Sequence, residues 1–176
     1  YRAARAVSHW MRGKNTLQFS FGLWTAGLER SIIDADDSVA SRNKGLTPQR
    51  VYAGEIGIQL NLTGGKTWHA LAPYTGISFG LVHAGKSPAR DTSGYQFGTK
   101  LFFAPTIGTR IFLTSKLYLK LDARAVFWKL VYPVSYSAEP DRQPGTATHS
   151  NAVNTTGASS QYTATPEFRV GLGIPW

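Results

Sequence analysis

Residues 51–62 read VYAGEIGIQLNL, and their side chains alternate between two chemical characters. A period of two residues places successive side chains on opposite faces of a β-strand. The even positions are almost purely apolar, whereas the odd positions are small, amidic or acidic. The stretch therefore predicts a strand with one apolar face and one mixed polar face.

The same alternation recurs in five further segments, at residues 16–23, 70–83, 97–113, 117–128 and 168–176. Each is close to the ~9–11 residues that a transmembrane strand needs. Most of the charged residues within these segments lie on the mixed faces. In a barrel these faces would point inward, and their charges would form a lumen charge network that plugs the interior. The residues of this predicted network are Glu55, Lys100, Arg110, Lys120, Asp122, Arg124 and Arg169.

The connections between these segments alternate in length. Long loops are predicted at residues 26–50, 84–96 and 132–167, and short turns at 63–69 and 114–116. Long loops at one end and short turns at the other are typical of bacterial outer-membrane barrels, whereas a soluble meander has no need of them. Aromatic residues near the strand ends further suggest interfacial girdles. They are Tyr52, Trp68, Tyr74, Tyr95, Phe97, Tyr118, Phe127, Trp128, Tyr132, Phe168 and Trp176.

Composition narrows the function classes. The 176 residues include no Cys, which excludes a disulfide scaffold, a cysteine zinc site and a thiol nucleophile. The net charge of +9 comes from 19 basic and 10 acidic residues. Nearly half of this excess lies in residues 1–15, and the rest falls mainly on the inner face and the short turns. Because no basic patch with interleaved aromatics results, nucleic acid is not an expected partner.

Catalytic and metal motifs are weak. His149 and Ser150 lie in a Ser/Thr/Asn-rich loop with nothing to position a triad. Asp34, Asp36 and Asp37 lack the ligand spacing and glycine of a calcium loop, so a solvated acidic loop is expected. No catalytic residue, metal site or cofactor is therefore predicted.

The last residues, FRVGLGIPW at 168–176, resemble the carboxyl-terminal insertion signal of bacterial outer-membrane proteins. That resemblance implies recognition of Val170, Leu172, Ile174 and Trp176 by the barrel assembly machinery. Residues 73–80 and 97–128 also resemble strands five to seven of small eight-stranded barrels of the OmpA/OmpX type. The implied fold is an all-β, transmembrane, antiparallel up-and-down barrel with about six of its eight strands in this chain.

Counting strands back from the carboxyl end suggests that the chain lacks its first two strands and is an amino-truncated form of a longer protein. Within residues 1–15, residues 1–7 would be the end of a preceding strand or a short helix, and residues 8–15 would be a periplasmic turn. Residues 16–176 would be the barrel domain.

The expected function is a structural or surface-binding barrel in the outer membrane of a Gram-negative cell envelope. Its expected partners are outer-membrane lipids and lipopolysaccharide, with a surface partner for the loops. Three alternatives stay open: a lipid-modifying enzyme, a narrow porin-like channel, and a soluble ligand-binding barrel of the lipocalin or streptavidin type. The last predicts an apolar calyx and a polar outer surface.

Overall fold

The computed structural model describes residues 5–12, 16–64, 66–85, 91–146 and 148–174, with the backbone alone for residues 5–12. These residues form seven strands and a short 3-10 helix at Val134–Ser137. No helix among them has the length and hydropathy needed to cross a membrane. The strands are β1 (Arg5–Arg12), β2 (Leu17–Ile33), β3 (Asn43–Asn61), β4 (Leu71–Ala84), β5 (Thr99–Thr114), β6 (Leu117–Val131) and β7 (Ser160–Gly173).

The strands form one sheet in the order of the sequence, and every neighbouring pair is antiparallel. The sheet curls around a single interior, because side chains of β3 and β6, which are not neighbours, meet there. The predicted all-β fold with antiparallel up-and-down strands is confirmed.

Strands β2–β7 correspond to the six alternating segments of the sequence, and β1 adds a seventh strand to the described sheet. For the first residues the sequence left a strand or a short helix open. The structure has a strand there, which pairs with β2 from Arg5 opposite Ala26 to Arg12 opposite Phe19. The turn predicted at residues 8–15 is therefore wrong for residues 8–12, which belong to β1. Residues 1–4 and 13–15 lie outside the described residues.

Two of the predicted long loops are much shorter than expected. The loop placed at residues 26–50 shrinks to 34–42, because β2 continues to Ile33 and pairs with a β3 that begins at Asn43. Likewise, β7 begins at Ser160 rather than Phe168, which shortens the loop at 132–167 to 132–159. The loop at 84–96 is close to the observed connection at 85–98.

The boundary of the first of these loops is misplaced because the apolar face changes sides along β2. In its first half Phe19, Phe21 and Leu23 face outward and are exposed. In its second half Ala26 and Leu28 face inward and are buried, whereas outward positions such as Glu29 and Ser31 are polar. A search for one continuous apolar face therefore stops where the two halves meet.

The outer face of the sheet carries a belt of exposed apolar side chains, and the inner face is buried. Ile56 is 64% exposed, Leu101 75% and Phe168 82%, although all three lie within strands. Between such residues the inward positions are buried and often polar, as at Glu55, Gln59 and Arg110. This exposed band, the apolar belt, contains residues such as Leu17, Phe19, Phe21, Leu23, Ile56, Ile58, Leu60, Ile77, Phe79, Leu81, Leu101, Phe103, Ile107, Phe168, Val170 and Leu172.

The prediction of aromatic girdles is wrong for four residues. Tyr74, Tyr95, Phe97 and Trp128 are buried rather than exposed at the rim. They fill the interior, since a narrow curled sheet needs large side chains to occupy its centre. Tyr52, Trp68 and Phe168 are exposed as a girdle requires, and Trp176 lies outside the described residues.

Candidate functional site

The centre of the buried charge network is Glu55 on β3. Its neighbours across the sheet are Gly22 on β2 and Gly80 on β4, so no side chain flanks it on either adjacent strand. This space lets the carboxylate reach across the interior. Its two oxygens accept hydrogen bonds from the guanidinium groups of Arg124 at 2.7 Å and Arg169 at 3.0 Å, and from the indole N–H of Trp24 at 3.0 Å.

A second carboxylate, Glu167, completes this cluster, and the sequence prediction missed it. Its oxygens accept the Nε–H of Arg124 and the Nε–H of Arg169, both at 2.7 Å. Two arginines and two glutamates thus form a closed ring of charge-assisted hydrogen bonds. On the sequence alone, Glu167 falls at the end of the predicted loop at 132–167; its spacing of two residues from Arg169 is the signal that puts both side chains on the inner face.

A second cluster lies toward the short-turn end. Arg110 donates to the side-chain oxygens of Gln59 at 2.8 Å and Asn61 at 3.0 Å, and its guanidinium lies 4.6 Å from the centre of the Tyr74 ring. Lys120 forms an ion pair with Asp122 at 3.2 Å and lies 5.4 Å from the same ring. Amide oxygens and a ring face therefore replace the water that a cation loses on burial.

Gly108 makes room for this second cluster. A Cβ atom built on it would lie 2.6 Å from both the Asp122 carboxylate and the Tyr74 hydroxyl. Any larger residue would push these side chains out of the interior.

Lys100, the remaining member of the predicted network, lies apart from it. Its ammonium is 5.2 Å from the ring of Phe97, and the ion pairs among the described residues do not include it. Around it the loop half of the interior is apolar. That layer contains Trp24, Leu28, Val51, Val82, Phe97, Phe102, Val126 and Trp128.

The interior leaves little open space among the charged side chains. A cavity of about 20 Å³ lies between Glu55, Asp122, Arg124 and Arg169. Such a volume holds about one water molecule. The arrangement holds cations and carboxylates in fixed ion pairs, and the apolar layer lies next to them on the loop side of the interior.

The predicted carboxyl-terminal signal is described in part. Val170 and Leu172 on β7 and Ile174 just after it are exposed on the outer face, continuing the apolar belt. Trp176 lies outside the described residues.

The loop residues considered for catalysis make other contacts. The Ser150 hydroxyl donates to Glu139, and the ring Nδ1 of His149 shares a hydrogen bond with the Thr148 hydroxyl. Within the described residues no group of three His, Cys, Asp or Glu side chains is arranged to hold a metal ion.

Asp37 is not the solvated residue that the sequence suggested. It is buried and pairs with Lys44 and Arg142, so it joins the loop at 34–42 to the loop at 132–159. The hydrogen bond from Lys44 and that from the Ser38 N–H hold the pKa of Asp37 well below its usual range. The carboxylate is therefore charged at neutral pH and ties the loops together.

A comparable tie joins the loop at 85–98 to β2. Arg30 pairs with Asp91 and lies 5.2 Å from the ring centre of Tyr95. Burial opposes the charge on Asp91, but hydrogen bonds from Ser93 and Arg30 lower its pKa. The three long connections are thus held over the same end of the curled sheet.

Comparison with known proteins gives no relative to place beside this geometry: no family model, no curated protein and no solved structure matches the chain.

Proposed function

We propose that this chain is an integral outer-membrane β-barrel whose interior is closed and whose loops form a surface-binding face. The observation that carries the proposal is the inverted distribution of polarity. Outward side chains of the apolar belt are exposed, whereas charged residues such as Glu55, Arg110 and Arg124 are buried. In water this arrangement would expose the apolar face and bury the charged one, which is unfavourable on both counts.

The height of the belt agrees with a bilayer. On β3 it runs from Tyr52 to Leu62 just beyond the strand end. At ~3.3 Å per residue and a tilt of ~40°, ten steps span about 25 Å, which is the height of the apolar band on outer-membrane barrels. Outer-membrane lipid and lipopolysaccharide would cover this belt, and the barrel assembly machinery would read its end at Val170, Leu172, Ile174 and Trp176.

A structural or binding role is favoured over a channel, because the described side chains fill the middle of the interior. The ring of Glu55, Glu167, Arg124 and Arg169 and the apolar layer above it leave space for about one water molecule between the charges. Binding is then a task for the loops: Asp37 holds two of them together, and Asp91 holds the loop at 85–98 to β2.

The direction of the strands supports an eight-stranded form. Strands β1 and β7 are the two edges of the described sheet, and both run from the loop end to the short-turn end. Direct pairing of these edges would be parallel, whereas one further strand of opposite direction pairs antiparallel with both. We therefore propose closure by an eighth strand, which gives the even number that bacterial barrels of this kind use.

Single-cysteine labelling tests the membrane assignment cleanly, because the chain has no cysteine of its own. Ile56→Cys, Leu101→Cys and Ile107→Cys place the thiol on the belt, and Val39→Cys places it in the loop at 34–42 as an exposed apolar control. In protein reconstituted in lipid vesicles, a charged maleimide should modify Val39→Cys at least tenfold faster than the belt variants. A spin label at the belt positions should collide preferentially with oxygen rather than with a water-soluble nickel chelate.

Equal maleimide reactivity at all four positions would contradict the membrane assignment. So would a protein that folds in buffer without lipid or detergent and shows no heat-dependent shift on a gel. That second result would favour the soluble ligand-binding barrel.

A further inference from the structure

A cavity of about 350 Å³ lies inside the loop end of the sheet, above the apolar layer. It is partly open to the medium, and the residues that line it come from β2, β3, the connection at 85–98, the end of β6 and the segment that follows β6. Five aromatic residues line it, namely Tyr95, Phe97, Trp128, Tyr132 and Tyr136. Phe97 and Trp128 meet edge to face at 5.8 Å, and the rings of Tyr132 and Tyr136 stack at 6.0 Å.

Four polar side chains besides the tyrosines line this cavity: Arg30 and Gln49, which are engaged with protein partners, and Glu29 and Ser31, which are exposed on β2. Arg30 forms an ion pair with Asp91, and its Nε–H donates to Gln49. The amide nitrogen of Gln49 donates to the Gly85 carbonyl at 2.9 Å.

The hydroxyls of two of the three tyrosines are engaged in the same way. The Tyr136 hydroxyl donates to the Ile33 carbonyl at 3.4 Å, and the Tyr132 hydroxyl donates to Gln161 at 3.2 Å. What the cavity offers a ligand is therefore mainly ring faces and the aliphatic surface of Leu28 and Leu130.

From this chemistry we propose that the cavity is a binding site for an uncharged, flat, largely apolar small molecule such as one with fused aromatic rings. The cavity's volume is in the range of small-ligand pockets, and aromatic walls favour stacked or edge-on rings. A sugar is disfavoured, because its hydroxyl groups would lose water without gaining partners. An organic anion is disfavoured as well, because the Arg30 charge is balanced by Asp91.

The cavity requires the folded sheet but not insertion into a membrane. The binding proposal and the membrane assignment can therefore be contradicted independently of each other. A protein that is soluble without lipid would contradict the membrane assignment and would still allow the binding measurement in buffer.

The probe for the test is N-phenyl-1-naphthylamine, an uncharged naphthalene whose fluorescence rises in apolar surroundings. It is titrated into protein in lipid nanodiscs, and empty nanodiscs supply the lipid background. The expected result is a saturable signal of one site per protein above that background. An analogue with the same ring system and a sulfonate, 8-anilinonaphthalene-1-sulfonate, should bind at least tenfold more weakly.

Three tyrosine variants show whether the cavity holds the probe. Tyr136→Ala removes a wall and should weaken binding at least tenfold. Tyr136→Phe keeps the ring but loses the hydroxyl, and it should bind within about twofold of the unmodified protein. Tyr162→Ala removes an exposed tyrosine of β7 that does not line the cavity, and it should also leave binding unchanged.

A heat-modifiability gel and far-ultraviolet circular dichroism confirm that each variant is folded. The proposal is overturned by the absence of saturable binding above empty nanodiscs, by equal losses in Tyr136→Ala and Tyr162→Ala, or by tighter binding of the sulfonate. The last outcome would instead make Arg30 an anion-binding residue.

Discussion

At the scale of single residues, the interior depends on Glu55 more than on any other side chain described. One carboxylate accepts hydrogen bonds from two arginines on β6 and β7 and from the indole of Trp24 on β2. It therefore connects strands that are far apart in the sheet. A buried ion pair adds little net stability compared with a well-packed apolar group, but removal of one partner leaves an uncompensated charge.

The change Glu55→Gln keeps the volume and one acceptor oxygen for Trp24 but leaves Arg124 and Arg169 with one carboxylate between them. We expect it to lower the free energy of unfolding by about 3–5 kcal/mol. Urea titration of the protein in lipid vesicles, followed by tryptophan fluorescence, measures this loss.

The control is Glu29→Gln, since Glu29 is exposed on β2, and we expect its effect to stay within about 0.5 kcal/mol. In the double variant Glu55→Gln with Arg169→Gln, the excess positive charge is removed, so part of the loss should be recovered. Equal stabilities of the two Glu→Gln variants would mean that Glu55 does not hold the interior together.

At the scale of elements, the sequence predicted the six main strands and the side chains on each face, because a period of two is a local property. It did not predict the length of β2 and β3, where the apolar face changes sides near Thr25. Nor did it predict that Glu167 would meet Arg124, because the register between β6 and β7 is fixed by pairing along both strands. The aromatic cavity could not be predicted from the sequence either, because the residues that line it come from distant parts of the chain.

The loops are coupled through Asp37, and this coupling has a pH dependence of known sign. The pKa of Asp37 in the folded protein lies below its ordinary value of 3.8. The resulting stabilisation is complete above that ordinary value and is lost as the pH falls through the lower, folded-state pKa. We expect the loop at 34–42 to stay ordered at neutral pH and to loosen in strong acid.

The fluorescence anisotropy of a dye on Val39→Cys measures this loosening between pH 7 and pH 1. With Asp37→Asn added, anisotropy should be low throughout the range. With Asp36→Asn, a change at the exposed neighbouring aspartate, it should follow the unmodified loop. A pH-independent anisotropy, or identical profiles for the two Asp→Asn variants, would show that Asp37 does not tie the loops.

At the scale of the whole molecule, the seven described strands leave two edges whose backbone groups need partners. Within a bilayer each unsatisfied N–H or C=O group costs several kcal/mol, so an open edge is not tolerated there. Every second amide of β7 points toward β6 and is bonded in the sheet, and the others point toward the edge. Closure by an eighth strand should protect both sets of amides from hydrogen exchange, whereas an open sheet would protect only the amides that point toward β6.

Hydrogen exchange of the β7 amides, followed by nuclear magnetic resonance in lipid nanodiscs, distinguishes these cases. We expect the amides on the edge side to exchange within about tenfold of those on the β6 side, because both would be paired in a closed barrel. The alternating amides of β4, which has neighbours on both sides, provide the internal standard for a fully paired strand. If every second β7 amide exchanges at a rate close to that of a solvent-exposed group while β4 stays protected throughout, the sheet is open at this edge and the eight-stranded barrel is wrong.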